Sequence, residues 1–407
     1  MQESSLSFSP ISSEEAGYFK LLELTPELVT LIEEATIQHS DGPSLVVKGQ
    51  PGEDAVICTV DKTYSMRTVG LSNSVLVVTP PQDAFASKFT DNGVVIRDQL
   101  NEIIELAPIV PKLHKLSTLL RGREYDEEHD EDASSTPSFT YQDARELIQA
   151  SDAELNKGLR ERRILHINGA RPFFLSNQVF TASPGDLRPI SLTYLNQLLE
   201  LVLNLLVSLS QPDTGASVED ISSALANDHD VPRVVSTQVM SWFGDIHQGK
   251  WKIDVDCVIR EVGLGILRNH KHEPVAGDIF VAQWRSLVGD SFEHAVSLPL
   301  LAVSYFGIYI DCQAHLSSLQ QGNYLVSTMH DTQYLTYFPA SLLPIDPAAR
   351  FSHLFLTRPR WKGDEISPFL SDIAVNNKER DKLLLKHCRA VTDSEGVWYT
   401  ARAQYNG

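Results

Sequence analysis

The sequence predicts an α+β protein, with a β-rich N-terminal part followed by a series of small units built from two helices and a hairpin. Three observations predict it. Between Leu45 and Arg97, short runs of Val, Ile and Leu are separated by Gly, Pro, Asp and Asn, the punctuation of a strand meander. Between Thr140 and Leu175, two capping-box spacings, Thr140 with Asp143 and Ser151 with Glu154, precede two strand-like runs around Asn168-Gly169, a pair that tolerates the positive φ of a tight turn. Between these regions lies Glu124 to Asp132, where seven of nine residues are acidic. Such a run repels itself and buries nothing.

Taken in order, residues 1–18 are Ser- and Glu-rich and are expected to be disordered, with order starting at Phe19–Leu24. Pro26–Glu34 reads as a short helix capped by Thr25. The strand candidates are Leu45–Gly49, Ala55–Thr59, Thr63–Val69, Val75–Val78 and Val94–Arg97. So few short strands leave unpaired edges, and an edge is a template for another chain. The expected arrangement is therefore a partial barrel completed by partner chains, against the alternative of a barrel or sandwich that the chain closes alone. Val46, Val56, Tyr64, Met66, Val75 and Val77 are the candidate partner-binding residues. Pro111–Arg123 reads as a helix with Leu113, Leu116, Leu119 and Leu120 inward, which ends an assembly domain over residues 19–123. Residues 124–138 follow as an acidic linker.

The order helix, helix, ribbon from Thr140 to Leu175, with Ile164–Ile167 and Arg171–Leu175 as the strands, is that of a winged helix. This first unit spans 139–210, with the long helix Ser191–Ser210 packed across it. A second spans 215–270: Ser217 caps Val218–Asn227, Pro232 sits in the first turn of Val231–Phe243, then come Trp251–Ile253 and a closing helix, Val255–Leu267. A further unit is expected over 277–345, with helices at Asp278–Val288 and Phe292–Val296, strands at Tyr305–Ile310 and Tyr334–Phe338, and an insertion from Gln313 to Asp331. The last, 347–403, has helices at Ala348–Leu356, Asp364–Ile373 and Lys378–Arg389 and a strand at Gly396–Thr400. This gives three or four tandem winged-helix domains.

Composition narrows the function. Hydrophobic and charged contents of 42% and 21% suit globular cores, and the longest apolar run, Leu192–Leu209, is broken by Asn196, Gln197, Glu200 and Asn204. Met1-Gln2-Glu3-Ser4 lacks the pattern of a secretory signal, which points to a protein kept inside the cell. Cys58, Cys257, Cys312 and Cys388 show no short spacing, so buried reduced thiols are expected rather than zinc ligands or disulfides. A P-loop, a nucleophile elbow and a His-Glu-x-x-His pair are all missing, and Lys62-Thr63 lacks the glycines that would cradle phosphate. His270-Lys271-His272, His330-Asp331 and Asp228-His229-Asp230 read as loop residues. No catalytic residue, metal site or cofactor is expected.

A net charge of −19 disfavours nucleic-acid binding by the whole surface, so any DNA contact must be local. Arg350 to Arg402 holds ten Lys or Arg against seven Asp or Glu, a balance of +3. Lys378, Lys382, Lys386 and Arg389 recur at four, four and three residues, on one face of the helix at the recognition position, with the Trp398-Tyr399 ribbon and Arg402 alongside. These five cations are the candidate DNA-binding residues. The competing reading is a solvated helix face with cations near its C-terminus.

Several stretches resemble one family: Leu21–Leu24 to Leu31-Ile32, Ser44–Gly49, Ala55–Cys58, Asp61–Tyr64, Pro111–Leu113 with Leu119-Leu120, Ile148–Ser151 with Glu154, and Leu384–His387. In them the chain is similar to the "defective in sister chromatid cohesion" subunits of the alternative replication-factor-C-type clamp loader. The resemblance implies a non-catalytic nuclear subunit whose N-terminal part co-folds with a small companion subunit and the C-terminal tail of the large loader subunit. It further implies C-terminal winged helices that touch DNA, contact with the catalytic subunit of DNA polymerase epsilon through the barrel and first winged unit, and an ATPase and sliding clamp handled by other subunits. A sequence-specific winged-helix transcription regulator is the alternative, but it calls for base-reading Arg, Asn or Gln where this stripe is mostly Lys.

Overall fold

The computed structural model describes residues 6–8, 18–37, 45–79, 94–126, 138–167, 185–211, 213, 215–302, 322–330, 332–394 and 396–402. The chain divides into two compact units, Met1–Pro111 with Leu147–Glu154, and Lys112–Glu146 with Leu155–Gly407.

The first unit contains β1 (Leu6–Phe8), β2 (Leu21–Glu23), α1 (Pro26–Ile37), β3 (Val46–Lys48), β4 (Val56–Cys58), β5 (Thr63–Thr79) and β6 (Val94–Pro108). They form one mixed six-stranded sheet in the order β1-β6-β5-β4-β3, with β2 also on β6. Among the described residues this sheet is open and forms no closed barrel. The strands predicted at Thr63–Val69 and Val75–Val78 are one strand of 17 residues, and the irregularity expected between them survives as a register shift between Gly70 and Val75. Its partner β6 continues well past Arg97, because alternation in Gln99 to Leu106 is masked by polar and acidic residues. Residues 6–8, expected to be disordered, pair in parallel with Val94–Ile96, since the free flank of β6 offers them hydrogen bonds.

The core of this unit is small. Leu28 of α1 packs with Ile57, Tyr64 and Leu106, supported by Leu22, Leu31, Met66 and Ile104. Thr25 stands at the predicted N-cap of α1, its carbonyl accepting from the Val29 amide, but its side chain makes no capping bond and its hydroxyl is buried without a partner among the described residues. The Ser151/Glu154 capping box does form, and it is joined by Thr63, whose hydroxyl donates to Glu154 Oε2 at 2.6 Å and accepts from the Ser151 amide at 2.9 Å. Lys48 Nζ donates to Ala150 O and Gln149 Nε2 to Asp54 O, both at 2.7 Å. These bonds explain why residues 147–154 group with the sheet.

The second unit begins with α2 (His114–Leu119), shorter than the predicted helix; Leu116 and Leu120 are buried but Leu119 is exposed. Then come α3 (Tyr141–Leu147), α4 (Asp152–Glu161), β7 (Ile164–Ile167) and β8 (Asp186–Pro189), the unit boundary falling within α3 and α4. The Asn168-Gly169 turn and the strand Arg171–Leu175 lie outside the described residues, and β7 pairs instead with β8. Tyr125, inside the acidic run, is buried against Tyr194 and Arg188 and bridges to Ile190, so the start of that run is part of the fold.

The next elements are α5 (Leu192–Ser208), β9 (Ala216–Ser217), α6 (Val218–His229), α7 (Arg233–Trp242), β10 (Gly244–His247) and β11 (Lys250–Ile253). After them come α8 (Val255–Arg268), β12 (Val275–Ala276), α9 (Gly277–Val288), α10 (Leu298–Ala302), β13 (Tyr324–Met329) and β14 (Thr332–Tyr337). Strand β13 lies inside the predicted insertion, and the strand predicted at Tyr305–Ile310 is outside the described residues. The chain closes with α11 (Pro347–Thr357), β15 (Arg360–Lys362), α12 (Gly363–Ile366), α13 (Asn377–His387), β16 (Cys388–Asp393) and β17 (Gly396–Ala401). Pro368 helps convert the predicted helix Asp364–Ile373 into α12 and a 3₁₀ turn.

Three helix-plus-hairpin sheets recur with one topology, β10-β11-β9, β12-β14-β13 and β15-β17-β16, the last strand always in the centre. One hydrophobic cluster runs from Tyr125 to Leu335, with α8 buried at its middle. A separate cluster around Phe351, Trp361, Phe369 and Leu384 holds the C-terminal elements together.

Candidate nucleic-acid and partner interfaces

Helix α13 starts where the Asn376 side chain accepts from the Glu379 amide at 3.0 Å, and Glu379 in turn accepts from the Val375 amide. Leu384 is its one deeply buried residue. A helix anchored through so narrow a stripe leaves most of its circumference in solvent, and Lys378, Lys382 and Lys386 all lie on that exposed part. None of the three forms an ion pair with a described residue, whereas the neighbouring Asp381 is engaged by Arg380 at 3.0 Å.

Two of the five predicted cations lie off the helix, Arg389 against expectation and Arg402 alongside it as expected. Arg389 is not on the helix: α13 ends at His387, and Arg389 lies on β16 opposite Thr400. Burial of Cys388, whose thiol is pushed up to about 12, marks the switch from helix to strand. Arg402 is exposed but binds the end of α13, its Nη1 donating to Leu385 O at 2.8 Å and its amide to His387 O at 3.2 Å. There it satisfies carbonyls that the last helical turn leaves open and complements the negative end of the helix.

The corresponding helix of the β9–β11 unit, α7, has no such freedom. Val235, Ser236, Gln238, Val239, Met240 and Trp242 are buried, and Gln238 bonds both the amide and the carbonyl of His166 on β7 at 2.9 Å. Its outward face is occupied by protein. Sequence reading missed Arg360 and Lys362, which flank Trp398 at 4.6 and 5.0 Å from the ring centroid. Their signal is the strand-like alternation Arg360-Trp361-Lys362, with the Trp361 side chain in the core.

On the N-terminal sheet, the six predicted partner-binding residues divide. Val56 and Tyr64 are each 2% exposed and belong to the unit's own core, so they offer no surface. Met66 and Val77 are half-buried, while Val46 on the edge strand β3 and Val75 on β5 are exposed. Leu76 and Val78, beside Val75 on the same strand, are exposed as well. The geometry behind this is one-sided pairing. β5 pairs with β6 along most of its length, but with β4 only at Thr63–Ser65. From Arg67 to Thr79 the other flank has no strand partner among the described residues.

Among the described residues no group of three or more His, Cys, Asp or Glu could hold a metal ion, and no helix is long and apolar enough to cross a membrane. The His270 ring lies 3.3 Å from Glu273 O within its loop.

Comparison with known proteins finds similar sequences over nearly the full chain. A model of the family described as "Sister chromatid cohesion protein Dcc1" matches residues 19–370. The Homo sapiens "Sister chromatid cohesion protein DCC1" is 25% identical over 98% of this chain and 92% of its own length. The Xenopus tropicalis protein of that name is 25% identical over 95% and 90%, and that of Saccharomyces cerevisiae 20% identical over 91% and 93%.

Proposed function

The chain belongs to the sister chromatid cohesion protein Dcc1 family, and from that premise we propose that it is a non-catalytic subunit of an alternative replication-factor-C-type clamp loader. In this reading it assembles with the large and small cohesion subunits in the nucleus, contacts DNA through a C-terminal winged helix, and links the loader to the catalytic subunit of DNA polymerase epsilon. ATP hydrolysis and the sliding clamp are then the business of other subunits.

The observation that carries the proposal is the flank of β5 from Arg67 to Thr79, which has no strand partner among the described residues. A strand of this length with exposed Val75, Leu76 and Val78 leaves backbone donors, acceptors and apolar surface unmet, and strands from another chain would satisfy both. The repeated strand order of the helix-plus-hairpin units supports reading them as winged helices. Among them α13 is the exposed candidate for phosphate contact, and α7 is not.

Hydrogen exchange tests assembly directly. In the isolated chain, amides from Arg67 to Thr79 that face the open flank should exchange rapidly, and they should become protected when the small and large subunits are co-expressed. Protection of that segment in the isolated chain, or no change on co-expression, would refute co-folding at this edge.

A further inference from the structure

Strand β6 pairs with β5 along one flank, and along the other it carries two short strands of the N-terminal segment, both parallel to it. β1 lies on Val94–Ile96 and β2 on Ile103–Glu105. Between these footprints, Asp98 to Glu102 have no strand on that flank among the described residues; the Phe19 amide reaches only the Asp98 carboxylate, at 3.4 Å. The two short strands are held differently. β2 leads into α1, and its Leu22 packs against the cluster of Leu28, Ile57, Tyr64 and Leu106. β1 offers three residues in a parallel pairing, the weaker kind, and its Phe8 is 70% exposed. Yet the stretch it lies on is apolar: Val95 and Ile96 are 5% and 6% exposed, and successive strand residues point to opposite faces. Left uncovered, such an edge is a template for pairing with any chain.

We propose that β1 is a placeholder in cis, which holds the end of β6 in the free chain and yields it to a strand of a companion subunit on assembly. The inference rests on the reading that foreign strands complete this sheet, and it adds a control on when they do so. The stretch Asp98 to Glu102 is the point of entry: a strand that pairs there and extends toward Val94 runs into β1 and replaces it. The exchange favours the newcomer. It gains backbone hydrogen bonds along the whole run from Val94 to Glu102 in place of three residues, and an antiparallel newcomer pairs more strongly per residue. Releasing β1 gives up backbone pairing but no deep burial of Phe8, and returns conformational entropy to the segment. Until the companion arrives, β1 blunts an apolar edge against indiscriminate pairing.

The test compares the full-length chain, free and co-expressed with the large and small companion subunits, by hydrogen exchange. Amides of Leu6–Phe8 should be protected in the free chain and lose that protection on assembly, while Val94–Ile96 stay protected. Binding gives a second readout. Ser7→Pro removes a backbone donor from β1, and with β1 docked in about nine-tenths of free molecules it should bind the purified companion subunits about tenfold more tightly. Deleting residues 1–8 should produce the same gain, which guards against a local effect of proline. Protection of Leu6–Phe8 that persists in the assembly, or affinity unchanged or weakened in both variants, would make β1 a permanent strand of the joint sheet and overturn the exchange. Arg67–Thr79 separates the two readings. Protection gained there while Leu6–Phe8 keeps its own removes the placeholder alone, whereas no gain at Arg67–Thr79 removes the assembly reading on which it rests.

Discussion

Gly265 is a glycine because a Cβ at that position would lie 2.0 Å from Asn196 Nδ2, and one at Gly263 would meet the Trp284 ring at 2.5 Å. Two close approaches thus let α8 pass between its neighbours. Overpacking of this kind typically costs about 1–3 kcal/mol, so Gly265→Val should lower the urea midpoint of unfolding by a corresponding amount, without touching α13. Buried charge marks a second sensitive site. Burial alone would raise the carboxyl of Glu261, yet Arg163, Arg268 and Arg260 around it hold it below its ordinary value. A depressed carboxylate contributes stability above its unfolded value and loses it as pH falls through the folded one. Burial also lowers the His166 imidazole to about 4. Between about 6.5 and 4 the unfolded chain therefore holds a proton that the folded chain does not, and stability falls with pH there as well. Thermal unfolding followed from pH 7 to pH 4 should show the melting temperature declining through this window. His166→Gln should flatten the upper part of that decline.

Elements were legible where local chemistry decides them. The Thr140/Asp143 box forms as the spacing requires, and Ser217 caps α6 through the Asp220 amide. Strands were less legible, because pairing rather than composition sets their length: β5 runs through Gly70 to Ser74 where turn residues suggested a break. The cation stripe was legible up to Lys386. Arg389 was not, because burial of Cys388 turns the chain into β16. For α13 the expected outcome of replacing Lys378, Lys382 and Lys386 by Ala is a duplex-binding salt slope shallower by up to about 0.9 per lysine removed, with an unchanged unfolding midpoint. A gel-shift or anisotropy titration across salt measures it, and an unchanged slope would mean these lysines only solvate the helix.

At the scale of the whole molecule, a net charge of −19 means that the proposed DNA contact needs a locally cationic surface, and Arg350 to Arg402, with a balance of +3, is the segment that offers one. That segment has its own hydrophobic cluster, to which Leu325 and Leu343 from upstream also contribute. A chain truncated after Asp346 should therefore keep its assembly with companion subunits and lose DNA binding, as measured by co-purification and anisotropy on one preparation; retained DNA binding would move the contact elsewhere. By itself, the sequence determined the α+β class, most helix starts, the recurrence of helix and hairpin, and a cationic end on an acidic chain, because caps, turn residues and charge act over a few residues. Only the tertiary structure decided that the β5 flank has no strand partner among the described residues, that α7 is covered while α13 is largely exposed, and that Arg360, Lys362 and Trp398 meet on one face. Those outcomes depend on which distant surfaces pair and bury one another, and no local pattern of residues encodes that.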